Sequence, residues 1–507
     1  MSLLFGRLLY NPAAIGILKK LLNFLIPISF IIIVVTFVRF DKVFQFYFDE
    51  GVYLMRAYLH VKGYALYKDV WMDQPPLLVI MISYLFRIFG PSAYIARFLV
   101  LTFSALLLWA VYQIISRTQN ILSALWAVGL IILSPFYVKL SVATMGSVPS
   151  IALAILSIYG VFLYQESHKK RYLVLSGVFL SFALLMRFFA AIFLPAIIYA
   201  IVMIEKKRTA KASFAARFVR ACAWWFGALL AVFLYTAFVA TRIDFSQLVQ
   251  PYLLGRGVRS HVNQSLLLWL IKEYDVVLLV IGVFILLRRM KKEFFLVPFI
   301  SLVTGMLIFC VHRPIWFYHG LYIFIPLCWL SSFGLYALCE QIKIARENKS
   351  KQLGARDIVV SSFFCCALIL SVARIPSKID RIRQQFQQTM PSHYHVVALM
   401  KQYGKQTHLV VTDYPIVAFY AEMPVPPYLA SSSIKRTLSG LLKTEDYLDI
   451  IRREQPELIL FGRYPWLRDA IVPRIQKDYA LEYEGPNGKP MLYVLKRIKD
   501  KSLRDKR

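Results

Sequence analysis

Asp49 and Glu50 stand side by side in "FQFYFDEGVYLMRAYLHVKGYALYKDVWMDQPPLL" (Phe44–Leu78), and Asp73 follows in front of a double proline. Adjacent carboxylates disfavour each other's ionisation, which raises one of them toward a useful general base. Alternatively, one is the base while the other positions a cation or an acceptor hydroxyl. On spacing alone the pair also suits a solvated loop that merely ends a span. Held in hydrocarbon, each charge costs roughly 2.5–3.5 kcal/mol, so the pair belongs at a water-accessible interface.

The chain around these acids is built for a bilayer. It is 59% hydrophobic and 17% charged, whereas soluble domains run nearer half apolar and about a quarter charged. "LLNFLIPISFIIIVVTFVRF" (Leu21–Phe40) carries no charge before Arg39, which predicts a spanning helix. Its apolar core is too long for a cleavable signal peptide, and no small-residue cleavage site follows. Further spans are predicted at about 97–116, 121–139, 147–164, 171–187, 189–204, 221–240, 274–288, 294–311, 316–339 and 357–373. Leu77–Gly90 is apolar but too short for a ~30 Å core, which needs ~20 residues.

The basic stretches "HKKR" (His168–Arg171), "EKKRTAKASFAARFVR" (Glu205–Arg220), "RRMKKE" (Arg288–Glu293) and "KIARENKSKQLGAR" (Lys343–Arg356) mark cytoplasmic loops. They share one side only if Leu77–Gly90 lies along the membrane surface. The reading is therefore a mainly α polytopic membrane protein of about eleven transmembrane helices, occupying 1–375, with interfacial helices in a first outer loop at 41–90. The N-terminus lies inside and the C-terminus outside. The net charge of +31 gathers in short loops, as orientation signals and contacts with anionic membrane lipids do, which argues against a nucleic-acid partner. Six cysteines lie in or beside apolar blocks and show no metal-ligand spacing.

After Arg374 the chain changes character. Short apolar strands alternate with amphipathic helices, "GPNGKP" reads as a hairpin turn and "PMLYVLKR" as a closing strand. This predicts a small α/β soluble domain over 390–498, then a basic tail at 499–507. Asp413 ends one of the strands, where a turn or cap role is the commoner one.

Asp49-Glu50-Gly-x-Tyr, then "YKDVWMDQPPL" (Tyr67–Leu77) and "RIFGPSAYIAR" (Arg87–Arg97), resemble the first outer loop of the protein O-mannosyltransferase family. More broadly they are similar to the C-type superfamily (GT-C) of integral-membrane glycosyltransferases, which includes the aminoarabinose transferases that modify lipid A. "VVTDYPIVAFYAEMPVPPYLASSS" (Val410–Ser433) resembles the tail of many prokaryotic members. The resemblance implies a GT-C fold and an inverting sugar transfer from a polyprenyl-phosphate donor on the outer face. It implies that Asp49 deprotonates the acceptor hydroxyl, with Glu50 as its catalytic partner. Asp73 and Gln74 match an acid–lysine pair whose lysine holds the lipid phosphate. Gln74 donates hydrogen bonds but supplies no charge, so another cation has to compensate. "ATMGSVPSIAL" (Ala143–Leu153) departs a second time, with Met145, Gly146 and Ser147 where many relatives carry an acid. A divalent cation therefore remains an open cofactor with no ligand set assigned.

A phosphate leaving group calls for cations near the outer face. Arg256, Arg259 and His261 in "GRGVRSH" are candidates, as are Arg313, Tyr318 and His319 in "HRPIWFYHGLYIF". The alternatives are loop charges among lipid headgroups and anchors in an interfacial aromatic belt. Arg187, between two apolar runs, is either a snorkelling turn residue or a cavity cation. Arg97, which opens a span, reads as structural. "NQS" (Asn263–Ser265) fits the glycosylation acceptor pattern. The expected partners are a polyprenyl-phosphate sugar lipid and an acceptor glycan, lipid or protein, at a plasma or inner cell membrane. Two rivals are a transporter or flippase for a lipid-linked sugar and an inactive scaffold of the same fold. The first would place its acids within spans near the midplane and often show internal repeats, and no such repeat is present.

Overall fold

In hydrocarbon an apolar run of some twenty residues satisfies its backbone only by closing hydrogen bonds within itself, so the blocks become helices. The computed structural model describes residues 12–207, 214–254, 270–286, 292–312, 315–347, 355–387, 390–404 and 408–499. Among these residues eight helices are long and apolar enough to cross a membrane, including Ala93–Thr118, Ser147–Ser167 and Phe317–Lys343. Shorter apolar helices cover Leu77–Phe89, Ile121–Ile132, Arg171–Met186 and Tyr274–Phe284. The Ser147–Ser167 helix is buried along nearly its whole length. Small residues let its neighbour approach: Ser157 and Ser176 hydroxyls meet at 2.9 Å, and a Cβ at Gly160 would stand 3.1 Å from Ser176 Cβ.

One span departs from the sequence reading. The run at 121–139 breaks into the Ile121–Ile132 helix and a six-residue helix, Pro135–Leu140. Ser134 and Pro135 cause the break, since proline lacks the amide donor that a continuing helix would use, and Ser134 Oγ caps the new helix through Tyr137 N at 3.4 Å. Leu77–Phe89 has 13 residues, about 20 Å at 1.5 Å per residue, which falls short of a hydrocarbon core.

The C-terminal region carries a four-stranded sheet of β1 (Val410–Thr412), β2 (Leu458–Phe461), β3 (Tyr479–Glu484) and β4 (Met491–Leu495). The order is β1-β2-β4-β3, with β1 and β2 parallel and the other pairs antiparallel. "GPNGKP" joins β3 to β4, with Asn487 and Gly488 both at positive φ. Strand side chains alternate between faces, and both faces here are buried. Val411, Ile459, Phe461 and Tyr493 pack with residues of the amphipathic helices Thr444–Glu454 and Pro465–Ile475. Val410, Leu458, Leu460, Leu492 and Val494 belong instead to the core that continues into the membrane helices. At Gly51 the C-terminal region comes close to the Phe48–Val61 helix. A Cβ there would lie 2.6 Å from Ile416 Cβ and 2.8 Å from Ile416 N, so only glycine lets the Pro415–Tyr420 helix settle on the Phe48–Val61 helix.

Candidate active site

Asp49 and Glu50 both lie in the first turn of the Phe48–Val61 helix. Neighbours in sequence are about 100° apart around a helix, and here they serve different places. Glu50 turns inward and is fully buried. Arg97 grips its carboxylate with Nε to Oε1 at 2.8 Å and Nη2 to Oε2 at 3.0 Å. Phe46 N and Thr144 N donate to the same group at 3.0 and 3.3 Å. The other Arg97 bonds go to Phe40 O, Val43 O and Phe44 O, so the guanidinium fastens the loop that precedes the helix. The sequence reading of Glu50 as the catalytic partner of Asp49 is corrected: Glu50 lies outside the residues that line the cleft and is paired with Arg97.

Asp49 faces a cleft of ≈ 630 Å³, open mouth included. Tyr47, Val52, Tyr53 and Arg56 line it from the same loop and helix, Asp73 and Gln74 from the segment before the double proline, and Trp316 and Tyr318 from the late aromatic segment. Ser433, Lys435 and Arg463 reach it from the C-terminal region. Among the described residues Asp49 makes no hydrogen bond and no ion pair. Burial raises its carboxyl above the ordinary range, and the positive charges of Arg187 and Arg463 only partly offset this. The largest like-charge influence on it comes from Asp73.

Asp73 is held differently. Burial works to raise its carboxyl too, but Arg56, and Lys435 beyond it, outweigh that and keep it below the usual value. Arg56 Nη2 bonds Asp73 Oδ1 at 2.8 Å, while its Nε bonds Ser431 Oγ at 2.8 Å. Ser431 Oγ in turn donates to Trp71 O at 2.9 Å. Gln74 lines the cleft with a neutral side-chain amide, and its backbone carbonyl accepts from Tyr67 Oη at 2.9 Å.

Tyr318 forms part of the wall, meeting Tyr47 edge-on with 5.5 Å between ring centroids. Arg187 lies behind it, with its guanidinium 4.1 Å from the Tyr318 ring centre. Arg187 is 3% exposed, donates from Nη1 to Ser147 Oγ at 2.8 Å and leaves Nε without a partner. It is thus a buried cation behind the cleft rather than a snorkelling residue. Ser147 occupies the stretch where the resemblance led one to look for an acid. His319, read from the sequence as a binding residue, is corrected: its Nδ1 accepts from Trp316 N at 3.2 Å, and its ring packs among Phe189, Phe309 and His312, away from the cleft. Arg256, Arg259, His261, Arg313 and Asn263 lie outside the described residues.

Several cleft residues escaped the sequence reading. Arg56 left a signal, since Asp49, Val52, Tyr53 and Arg56 fall on one helical face. Lys435 and Arg463 left none. Arg463 is placed by Asp413, which does act as a turn residue: its carboxylate accepts from Gly462 N, Arg463 N and Tyr464 N at 2.8, 3.1 and 2.6 Å. The Arg463 guanidinium then lies over Phe48, 3.1 Å from the ring centre.

The sequence profile described as dolichyl-phosphate-mannose-protein mannosyltransferase matches residues 73–235. No curated protein matches the chain. Among solved structures, ArnT from Cupriavidus metallidurans bound to undecaprenyl phosphate superposes with a TM-score of 0.58 at 12% identity, covering 92% of this chain and 97% of that one. The archaeal oligosaccharyltransferase AglB from Archaeoglobus fulgidus, in complex with an inhibitory peptide and a dolichol-phosphate, superposes at 0.52 with 13% identity, over 93% of this chain and 74% of that one. At such identities the likeness is one of fold.

Proposed function

We propose that this membrane protein, whose fold is that of the C-type integral-membrane glycosyltransferases, moves a sugar from a polyprenyl-phosphate donor to an acceptor hydroxyl with Asp49 as general base. The observation that carries the reading is the Asp49 carboxylate itself. It is unpaired among the described residues, open to a cleft, raised in basicity by burial, and surrounded at one remove by Arg56, Lys435 and Arg463. A carboxylate serves as a base near neutral pH when its surroundings raise it in this way.

Asp49 accepts the proton of the acceptor hydroxyl, and the oxygen attacks the anomeric carbon from the face opposite the phosphate. The bond between that carbon and the phosphate oxygen breaks, its electron pair leaves with the phosphate, and the configuration inverts. A phosphate leaving group needs little acid assistance, unlike the leaving group of the two-carboxylate glycosidases. Cations facing the cleft stabilise the charge that develops on it. Lipid phosphates are bound in the ArnT and AglB structures of the same fold, which supports a polyprenyl-phosphate donor here. The acceptor is a glycan, lipid or protein hydroxyl.

In this reading the cleft opens to the outer face of a cell membrane. The helical domain of 1–375 holds the lipid, and the α/β domain of 390–498 stands outside. Among the described residues two carboxylates line the cleft and Asp73 is committed to Arg56, so no ligand set for a divalent cation is assigned. No step is routed through one. The test is transfer from radiolabelled polyprenyl-phosphate sugar by the purified chain. Asp49→Asn keeps size and removes basicity, and a loss of about 10²–10⁴-fold is expected. A folded Asp49→Asn protein with full transfer activity would overturn the proposal.

A further inference from the structure

Tyr53 lies one turn beyond Asp49 on the Phe48–Val61 helix, lines the same cleft and is 2% exposed. A phenol buried in this way is ordinarily tied to a hydrogen-bond partner. Among the described residues the Tyr53 hydroxyl has none. A buried hydroxyl left unsatisfied destabilises the free protein, so its place in the cleft calls for a partner that arrives from outside.

The surroundings narrow the chemistry of that partner. A Cβ at Gly146 would stand 3.5 Å from Tyr53 Oη, so the hydroxyl comes to the N-cap of the 21-residue Ser147–Ser167 helix. The first amides of a helix have no partner within it, and the helix dipole favours an anion there. Pro149 carries no amide, which leaves those of Ser147 and Val148 at this end. Arg187 reaches the same place. Its Nη1 bonds Ser147 Oγ at 2.8 Å, and its Nε is a second buried donor with no partner among the described residues. Burial is the largest influence on the Tyr53 phenol and raises it, so the hydroxyl keeps its proton; the strongest charge acting on it is that of Arg187. Donors of three kinds meet at this end of the helix, and the stretch Ala143–Leu153 brings no carboxylate to them.

We propose that the Tyr53 hydroxyl donates to an anionic oxygen of the donor lipid's phosphate, seated at the N-terminus of the Ser147–Ser167 helix with Arg187 behind it. The identity of the anion rests on the proposed reaction. As the sugar departs, the bridging oxygen takes the electron pair and the phosphate gains charge, so a donor fixed beside it contributes most in the transition state.

The experiment compares Tyr53→Phe with the wild-type full-length chain in detergent. Phenylalanine removes one oxygen and leaves the ring in place. Without ligand the variant should melt at the wild-type temperature or above it, because the lost hydroxyl had no partner. Its dissociation constant for undecaprenyl phosphate should rise about tenfold or more, the size of a hydrogen bond to a charged group. Undecaprenol, with the same tail and no phosphate, should bind both proteins alike. Unchanged affinity for undecaprenyl phosphate overturns the proposal. An equal loss for undecaprenol does so too, since the hydroxyl would then shape the cleft for the tail rather than hold the phosphate. A lower melting temperature in ligand-free Tyr53→Phe also overturns it, because the hydroxyl would then have a partner within the chain. Full transfer activity in Asp49→Asn would instead strike the proposed reaction and leave the phosphate contact standing.

Discussion

Replacing Glu50 by Gln tests whether the second acid of the pair supports the site or takes part in the chemistry. The Glu50 carboxylate accepts four hydrogen bonds, two from Arg97 and one each from Phe46 N and Thr144 N. A glutamine offers one acceptor oxygen, and its NH₂ group faces donors on the other side. At least one Arg97 bond and one backbone N–H lose their partner inside a fully buried pocket, and Arg97 is left charged without a counter-ion. Breaking a buried pair from one side costs about 3–5 kcal/mol, and each orphaned donor on its own costs about 1–3 kcal/mol. The expected result is a large loss of thermal stability in detergent and a smaller folded yield. Transfer activity per folded molecule should fall far less than in Asp49→Asn. A double-mutant cycle with Arg97→Met should show strong coupling, because removing both charges relieves the unpaired one. A stable Glu50→Gln protein with activity abolished as fully as in Asp49→Asn would refute the assignment and restore Glu50 as a chemical partner.

The helical membrane class was legible because hydrocarbon demands long apolar blocks, and such blocks need no partner to be recognised. The split after Ile132 was harder to see, since Ser134 and Pro135 act on a backbone bond that hydropathy does not record. At the site, the sequence named Asp49, Asp73, Gln74 and Tyr318, all of which line the cleft. It erred on Glu50 because adjacency in sequence is divergence on a helix. The partner that settles the matter, Arg97, lies 47 residues away. His319 was chosen for its residue type, and only packing against Phe189 and Phe309 assigns it to the core. Lys435 and Arg463 could not have been found by spacing. They reach the cleft because Gly51 admits Ile416, and because one face of the sheet joins the membrane core. Arg56 was findable, as the helical face that carries Asp49 also carries it.

Gly51→Ala pushes a methyl group to within 2.6 Å of Ile416 Cβ and 2.8 Å of its backbone N. Overpacking of this kind costs about 1–3 kcal/mol, and the strain falls on the contact between the Phe48–Val61 helix and the C-terminal region. Faster proteolysis of residues after Arg374, with weaker undecaprenyl phosphate binding, is the expected outcome; unchanged cleavage would show that the contact does not hold the two parts together. The pH profile offers a separate check on Asp49. Its carboxyl is raised in the folded chain, chiefly by burial, so the rate should fall on acidification at a higher pH than an ordinary carboxylate would give. Stability moves the other way for that group: the folded state binds the Asp49 proton more tightly than the unfolded state, so protonation there favours folding. Asp73 has the opposite sign, because its lowered carboxyl contributes stability that is lost only as pH falls through its folded value, below the ordinary carboxylate range. Between those two points the protein should be folded and inactive. Melting curves and initial rates measured across the same buffers separate the two effects. If rate and stability were to fall together as pH drops, the acid limb would report unfolding, and Asp49 could not be credited with it.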